Sequence, residues 1–260
     1  MVKSVLPLAL VMGVLSGLLV GAYFNVINVP VMEWAISLEE AAAEAEAAAS
    51  GGSGGDEGGI AVSLGLQRIG MVAGLVVVGV LAGAIFTGLY HLVRRATPGW
   101  NIWAWATIAG LLGFWAFSLF TQIKYPLNPP GIGEEGTLLS RQFFQFLFVV
   151  ISLISVVGVL LAVKLVNESS TQGFQRFVRY AAVGVSYAAV ALVLSYAIPG
   201  NPDAIPEWVP NALIIMFRTF TLVGHFLLWM IIAGGVAGYL KYQERGIKAS
   251  EPAATRAMVG

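Results

Sequence analysis

In the last long apolar run of the chain, Asn211, Arg218 and His225 recur at intervals of seven, with Thr221 three residues after the arginine and four before the histidine. Intervals of three, four and seven return to one side of an α-helix, so these four polar side chains share a stripe. If Asn211 marks a membrane boundary, a rise of about 1.5 Å per residue sets Arg218 roughly 10 Å and His225 roughly 21 Å inward, inside a hydrocarbon core of about 30 Å. Ionisable groups at that depth are costly and commonly line a substrate path. Two readings stay open for each. Arg218 either pairs with a carboxylate such as Asp203 or Glu207 or lines a path; His225 is either a neutral imidazole hydrogen-bonded to a neighbouring helix or a metal ligand. A second stripe, Arg141, Gln145, Ser152 and Ser155, follows the helical repeat in an earlier run, while Asn25 and Asn28, Arg68, and Lys124 lie near the ends of three others. These placements predict that Arg68, Lys124, Arg141 and Arg218 converge at one end of a helical bundle. They also predict that His225 faces its interior near Ser152 or Ser155.

Further metal donors are sparse. Glu33, Glu134, Glu135, Met12, Met71 and Met216 are candidates, but none has a diagnostic spacing with His225. His91, the other histidine, sits one turn before Arg94 and Arg95, where snorkelling to a membrane surface accounts for it. The chain has no cysteine, which excludes disulfides, thiolate metal sites and thiol nucleophiles. No paired carboxylates, nucleophile–histidine pair or HExxH occur in the apolar runs, so no enzyme and no bound cofactor is expected. A net charge of zero and the lack of a basic patch interleaved with aromatics leave nucleic-acid binding without a basis. The basic residues near one mouth suit an anion, or a metal carried by an anionic chelator, and suit a bare cation only if each is paired.

The elements that must position these residues are membrane helices. Hydrophobic residues make up 58% of the chain and charged ones 11%, the balance of an integral membrane protein. Six runs reach the length of a span: about 5–29, 66–93, 102–123, 143–166, 177–198 and 212–240. The first reads as a retained span rather than a cleaved signal, because the apolar run continues too far and has no clean cleavage site. Six spans put both termini on one side. That side collects Lys3, Arg94, Arg95, Lys164, Arg176, Arg179, Lys241, Arg245, Lys248 and Arg256, against Arg68, Lys124 and Arg141 on the other, so the termini are expected in the cytoplasm of a cell-membrane protein. The outer face is acidic. Its first loop, 30–64, holds an alanine- and glutamate-rich stretch over 38–49 that favours a short surface helix, followed by a flexible glycine-rich linker. Gly13, Gly17 and Gly21 bare one face of the first span for close helix packing; Gly70 with Gly74, and Gly79 with Gly83, suggest the same of the second. The expected fold is thus an all-α bundle of six transmembrane helices over 1–248, with a flexible cytoplasmic tail over 249–260.

The second long outer loop, 124–142, is the most specific segment. It begins Lys124-Tyr-Pro-Leu-Asn-Pro-Pro130, where Pro126, Pro129 and Pro130 remove backbone donors and Asn128 favours a turn, so it cannot be helical there. Together with Tyr125, Gly133 and an arginine eight residues beyond, it resembles the signature loop of the CbtA family of proposed cobalt transporter subunits. The order of features elsewhere is similar to that family: Asn28-Val-Pro-Val-Met-Glu-Trp after the first span, Gly65-Leu-Gln-Arg-Ile-Gly70 opening the second, and Phe217-Arg218 with Trp229 in the last. The chain departs from the pattern at Val29, where an acidic residue is expected, and at Glu134-Glu135, where an acidic-Pro pair is. The resemblance implies a membrane subunit of a cobalt or other divalent-metal uptake system, with the metal as substrate and a small single-span CbtB-like protein as companion. A non-transporting accessory or scaffold subunit of a homo-oligomer or larger membrane complex is the alternative.

Overall fold

A computed structural model describes residues 5–50, 63–129, 132, 135–200 and 205–250. Pro130, Gly133 and Glu134, Asp203, most of the glycine-rich linker and the tail beyond 250 lie outside the described residues. Seven α-helices account for most of the rest: α1 (Val5–Ser50), α2 (Leu64–Ala96), α3 (Ile102–Phe114), α4 (Phe120–Lys124), α5 (Leu138–Glu168), α6 (Gly173–Ala197) and α7 (Asn211–Ser250). A π-helical turn, Trp115–Leu119, joins α3 to α4, so the two act as one span. Six helical segments are then long and apolar enough to cross a membrane, in agreement with the six apolar runs. Helix boundaries follow local chemistry. Ser63 Oγ accepts from Leu66 N at the start of α2, and Asn101 Oδ1 accepts from Ala104 N at the start of α3.

The bundle is organised around α1, which packs along α2 and α7, while α3 packs on α7 and α2. Small residues make the α1–α2 seam. A Cβ at Gly13 would come within 2.2 Å of Gly79 O, and one at Gly17 within 2.5 Å of Leu75 O, so these backbones are in direct contact. Gly79 and Gly83 face α1 in return, within 2.1 Å of Gly13 O and 2.3 Å of Ala9 O by the same measure. Gly70 and Gly74 do not share in it: a Cβ on either meets nothing within 4 Å. A large core joins α1, α2, α3, α5 and α7 around Phe86, Tyr90, Trp229 and Ile232. By contrast, α6 has no buried residue and packs on α5.

The acidic stretch after the first span is helical, but it forms no separate surface helix. It continues α1 through Pro30. Proline deprives the Val26 carbonyl of its usual donor, which is the reason to expect a break there. Packing on the far side compensates: Val31 and Ala35 are buried in a cluster with Ile132, Val209, Leu213, Ile214 and Phe217. The extension of α1 therefore buttresses the proline-rich loop.

Candidate functional site

The site is built from α7 outward. Arg218 is half-buried, and its guanidinium donates twice to the proline-rich loop: Nε to Leu127 O at 3.1 Å and Nη2 to Asn128 Oδ1 at 2.8 Å. A planar fork with fixed donors suits two oxygens presented side by side. Among the described residues Arg218 has no carboxylate partner; Asp203 lies outside them, and Glu207 makes no ion pair with it. Leu127 packs beside the cluster that holds Val31, Leu213 and Phe217, so the same loop is gripped by polar and apolar contacts together.

Other ties fix the loop's remaining sides. Tyr125 is buried, and its hydroxyl donates to Pro199 O beyond the end of α6. Burial raises the Tyr125 phenol above its ordinary pKa, which keeps the hydroxyl protonated as a donor. Lys124 Nζ donates to Ser195 O at 2.6 Å. Pro129 is fully buried, Pro126 and Asn128 are half-buried, and Pro129 O accepts from Ile132 N at 3.3 Å. At the edge, Arg68 pairs with Glu33 at 2.7 Å, both side chains being about half exposed (47% and 45%). Arg141 is half-buried in the first turn of α5. Three of the four basic residues expected to converge are thus tied to different neighbours: Arg218 to the loop, Lys124 to α6 and Arg68 to α1.

Beneath Arg218 a polar seam runs between α7 and the antiparallel α1. Thr221, buried, accepts from Asn28 Nδ2 at 3.1 Å, and Tyr23 Oη donates to Phe220 O at 3.2 Å. One turn further along α7, His225 lies beside Phe24, with ring centroids 6.4 Å apart. Gly224 makes this approach feasible, since a Cβ there would fall 2.0 Å from the Phe24 ring. Two buried atoms of the seam have no partner among the described residues, Asn28 Oδ1 and His225 Nδ1. No hydrogen bond joins His225 to Ser152 or Ser155; Ser155 Oγ donates to Ser152 O at 2.7 Å within α5. Asn211, the first member of the stripe, is exposed.

Sequence reasoning did not single out Ser118 or the side chain of Gln122. Both are buried on the α3–α4 span, and Ser118 Oγ, Gln122 Nε2 and, on α5, Ser152 Oγ also lack partners among the described residues. Their four-residue spacing in an apolar run was the available signal. The π-helical turn had none, although such turns recur at functional positions. Leaving a buried polar group unpaired costs about 1–3 kcal/mol, so these positions suit a further polar partner.

Neutral oxygen and imidazole nitrogen are acceptable donors to a divalent transition metal. They are also weak ones. Among the described residues no three His, Asp or Glu side chains come together as a metal cage; Glu33 is engaged with Arg68, and Glu134 is outside the described residues. The arrangement offers a sequence of uncharged polar contacts under a pinned loop rather than a tight binding centre.

Among known protein families, the model described as probable cobalt transporter subunit (CbtA) matches residues 2–241. No curated protein and no solved structure matches the chain.

Proposed function

This chain belongs to the CbtA family, and on that premise we propose that it is the membrane subunit of an uptake system for cobalt or a related divalent metal. The metal is the substrate, passing beneath the proline-rich loop and along the α1–α7 seam. The observation that carries this reading is the pair of unpartnered buried atoms, Asn28 Oδ1 and His225 Nδ1, one turn apart on a seam that begins at the Arg218-held loop. A dehydrating cation needs replacement ligands, and neutral donors let it leave again. Pairing of Arg68 with Glu33 lessens the repulsion that this charge would present to it, while Lys124 and Arg218 are held on backbone carbonyls. The acidic residues of the outer face collect cations there. A small single-span companion would supply the ligands that one imidazole lacks.

The protein is placed in the cytoplasmic membrane with both termini in the cytoplasm, a reading supported by the distribution of lysine and arginine. The test is accumulation of radioactive cobalt by cells expressing the chain with its companion. Uptake above that of cells with the companion alone supports a transport role. No uptake, with stable copurification of the chain in a larger membrane complex, favours the accessory reading, for which the unburied α6 is the supporting feature.

A further inference from the structure

At the end of the bundle remote from the proline-rich loop, a cavity of about 540 Å³ opens between the α2–α3 turn, the end of α5 and the start of α6. Thr97, Gly99, Trp100, Asn167, Arg176 and Tyr180 line it. Its polar wall is assembled around one amide. Asn167 Nδ2 donates to Ala96 O at 2.6 Å, while Asn167 Oδ1 accepts from both Arg176 Nη2 and, at 2.6 Å, Tyr180 Oη. Arg176 also lies over the Tyr180 ring, 5.9 Å from its centroid. A neutral oxygen and an aromatic face orient this guanidinium without neutralising it.

Nothing nearby does so either. Among the described residues Arg176 has no carboxylate partner, and the adjacent Glu168 reaches back to Lys164 at 3.5 Å. Arg94, Arg95 and Arg179 likewise form no ion pair among the described residues. Arg94 lies over Trp105, whose Nε1 donates at 2.8 Å to the carbonyl of Thr97 in the cavity wall.

We propose that this cavity binds the phosphate-bearing headgroup of an anionic glycerophospholipid. An oriented arginine fork matches phosphate oxygens, and basic pockets between membrane helices near the bilayer surface suit anionic headgroups. Its surroundings favour a lipid over a soluble phosphate. Trp100 is half exposed on the cavity wall, and the same turns of α6 expose Phe174 and Phe177, so acyl chains have an apolar surface beside the charged pocket. This inference does not depend on metal transport.

Native mass spectrometry of the delipidated full-length chain in neutral detergent tests it, with phosphatidylglycerol, phosphatidylcholine and inorganic phosphate as probes. Phosphatidylglycerol is expected to be retained preferentially. Arg176→Gln should weaken its retention about tenfold or more, as the loss of a charge-assisted hydrogen bond predicts. Gly99→Phe is the independent variant: a Cβ at Gly99 meets nothing within 4 Å, so the ring fills space while every charge remains. It should reduce retention too, and it decides the matter if Arg176→Gln fails to fold. Equal retention of phosphatidylcholine, or wild-type retention by Gly99→Phe, would overturn the proposal. Inorganic phosphate bound as well as the lipid would also overturn it, by assigning the cavity to a soluble ligand.

Discussion

Arg218 illustrates how one side chain fixes a loop that has little secondary structure of its own. The proline-rich segment cannot satisfy its polar groups by helix formation, and Arg218 takes up Leu127 O and Asn128 Oδ1 from a position about 90 residues further along the chain. Arg218→Gln is expected to destabilise the protein in detergent by about 2 kcal/mol, the scale of a lost charge-assisted contact, with enhanced proteolysis confined to the 124–142 loop. Thermal unfolding with limited proteolysis checks both, and an unchanged loop would show that the apolar cluster holds it alone. The stripe of Arg218, Thr221 and His225 was legible from spacing, because a helix repeats its face every three to four residues. Their partners were not. Nothing local indicates that Arg218 meets a carbonyl instead of a carboxylate, or that His225 lies beside Phe24 of α1, since tertiary packing alone decides which helices are neighbours.

Between helices, contact at the α1–α2 seam is backbone to backbone, so volume rather than polarity governs it. Gly13→Leu should cost about 3 kcal/mol or more through forced separation of the two helices, whereas Gly74→Ala, where a Cβ meets nothing within 4 Å, should be neutral or slightly stabilising. Unfolding midpoints of the two variants in detergent make the comparison; equal losses would refute the seam. The glycine spacing in α1 predicted this contact, but the same spacing at Gly70 and Gly74 did not produce one, because a bare patch permits close approach without requiring it. Spans were legible as long apolar runs. Continuation of α1 through Pro30 was not, since a proline weighs toward a break and the compensating contacts of Val31 and Ala35 come from a loop and a helix far along the chain.

For the molecule as a whole, the asymmetry of basic residues predicts an orientation in the bilayer with both termini in the cytoplasm. The cysteine-free sequence makes this simple to measure. A membrane-impermeant thiol reagent added outside intact cells should label Ser53→Cys and Gly131→Cys and spare Ser170→Cys; labelling of Ser170→Cys would reverse the orientation. With that orientation the proline-rich loop faces outward, and the seam of Asn28, Thr221 and His225 leads inward from it. Transport along this seam is tested most exactingly at His225, because imidazole ligation and amide hydrogen bonding can be separated there by one substitution. Cobalt accumulation should therefore be measured in cells expressing the companion with either the wild-type chain or His225→Gln, at matched amounts of folded protein in the membrane. Uptake is expected in the wild type and its loss in His225→Gln; normal accumulation by His225→Gln would rule out a metal path through the imidazole and leave the histidine a packing residue.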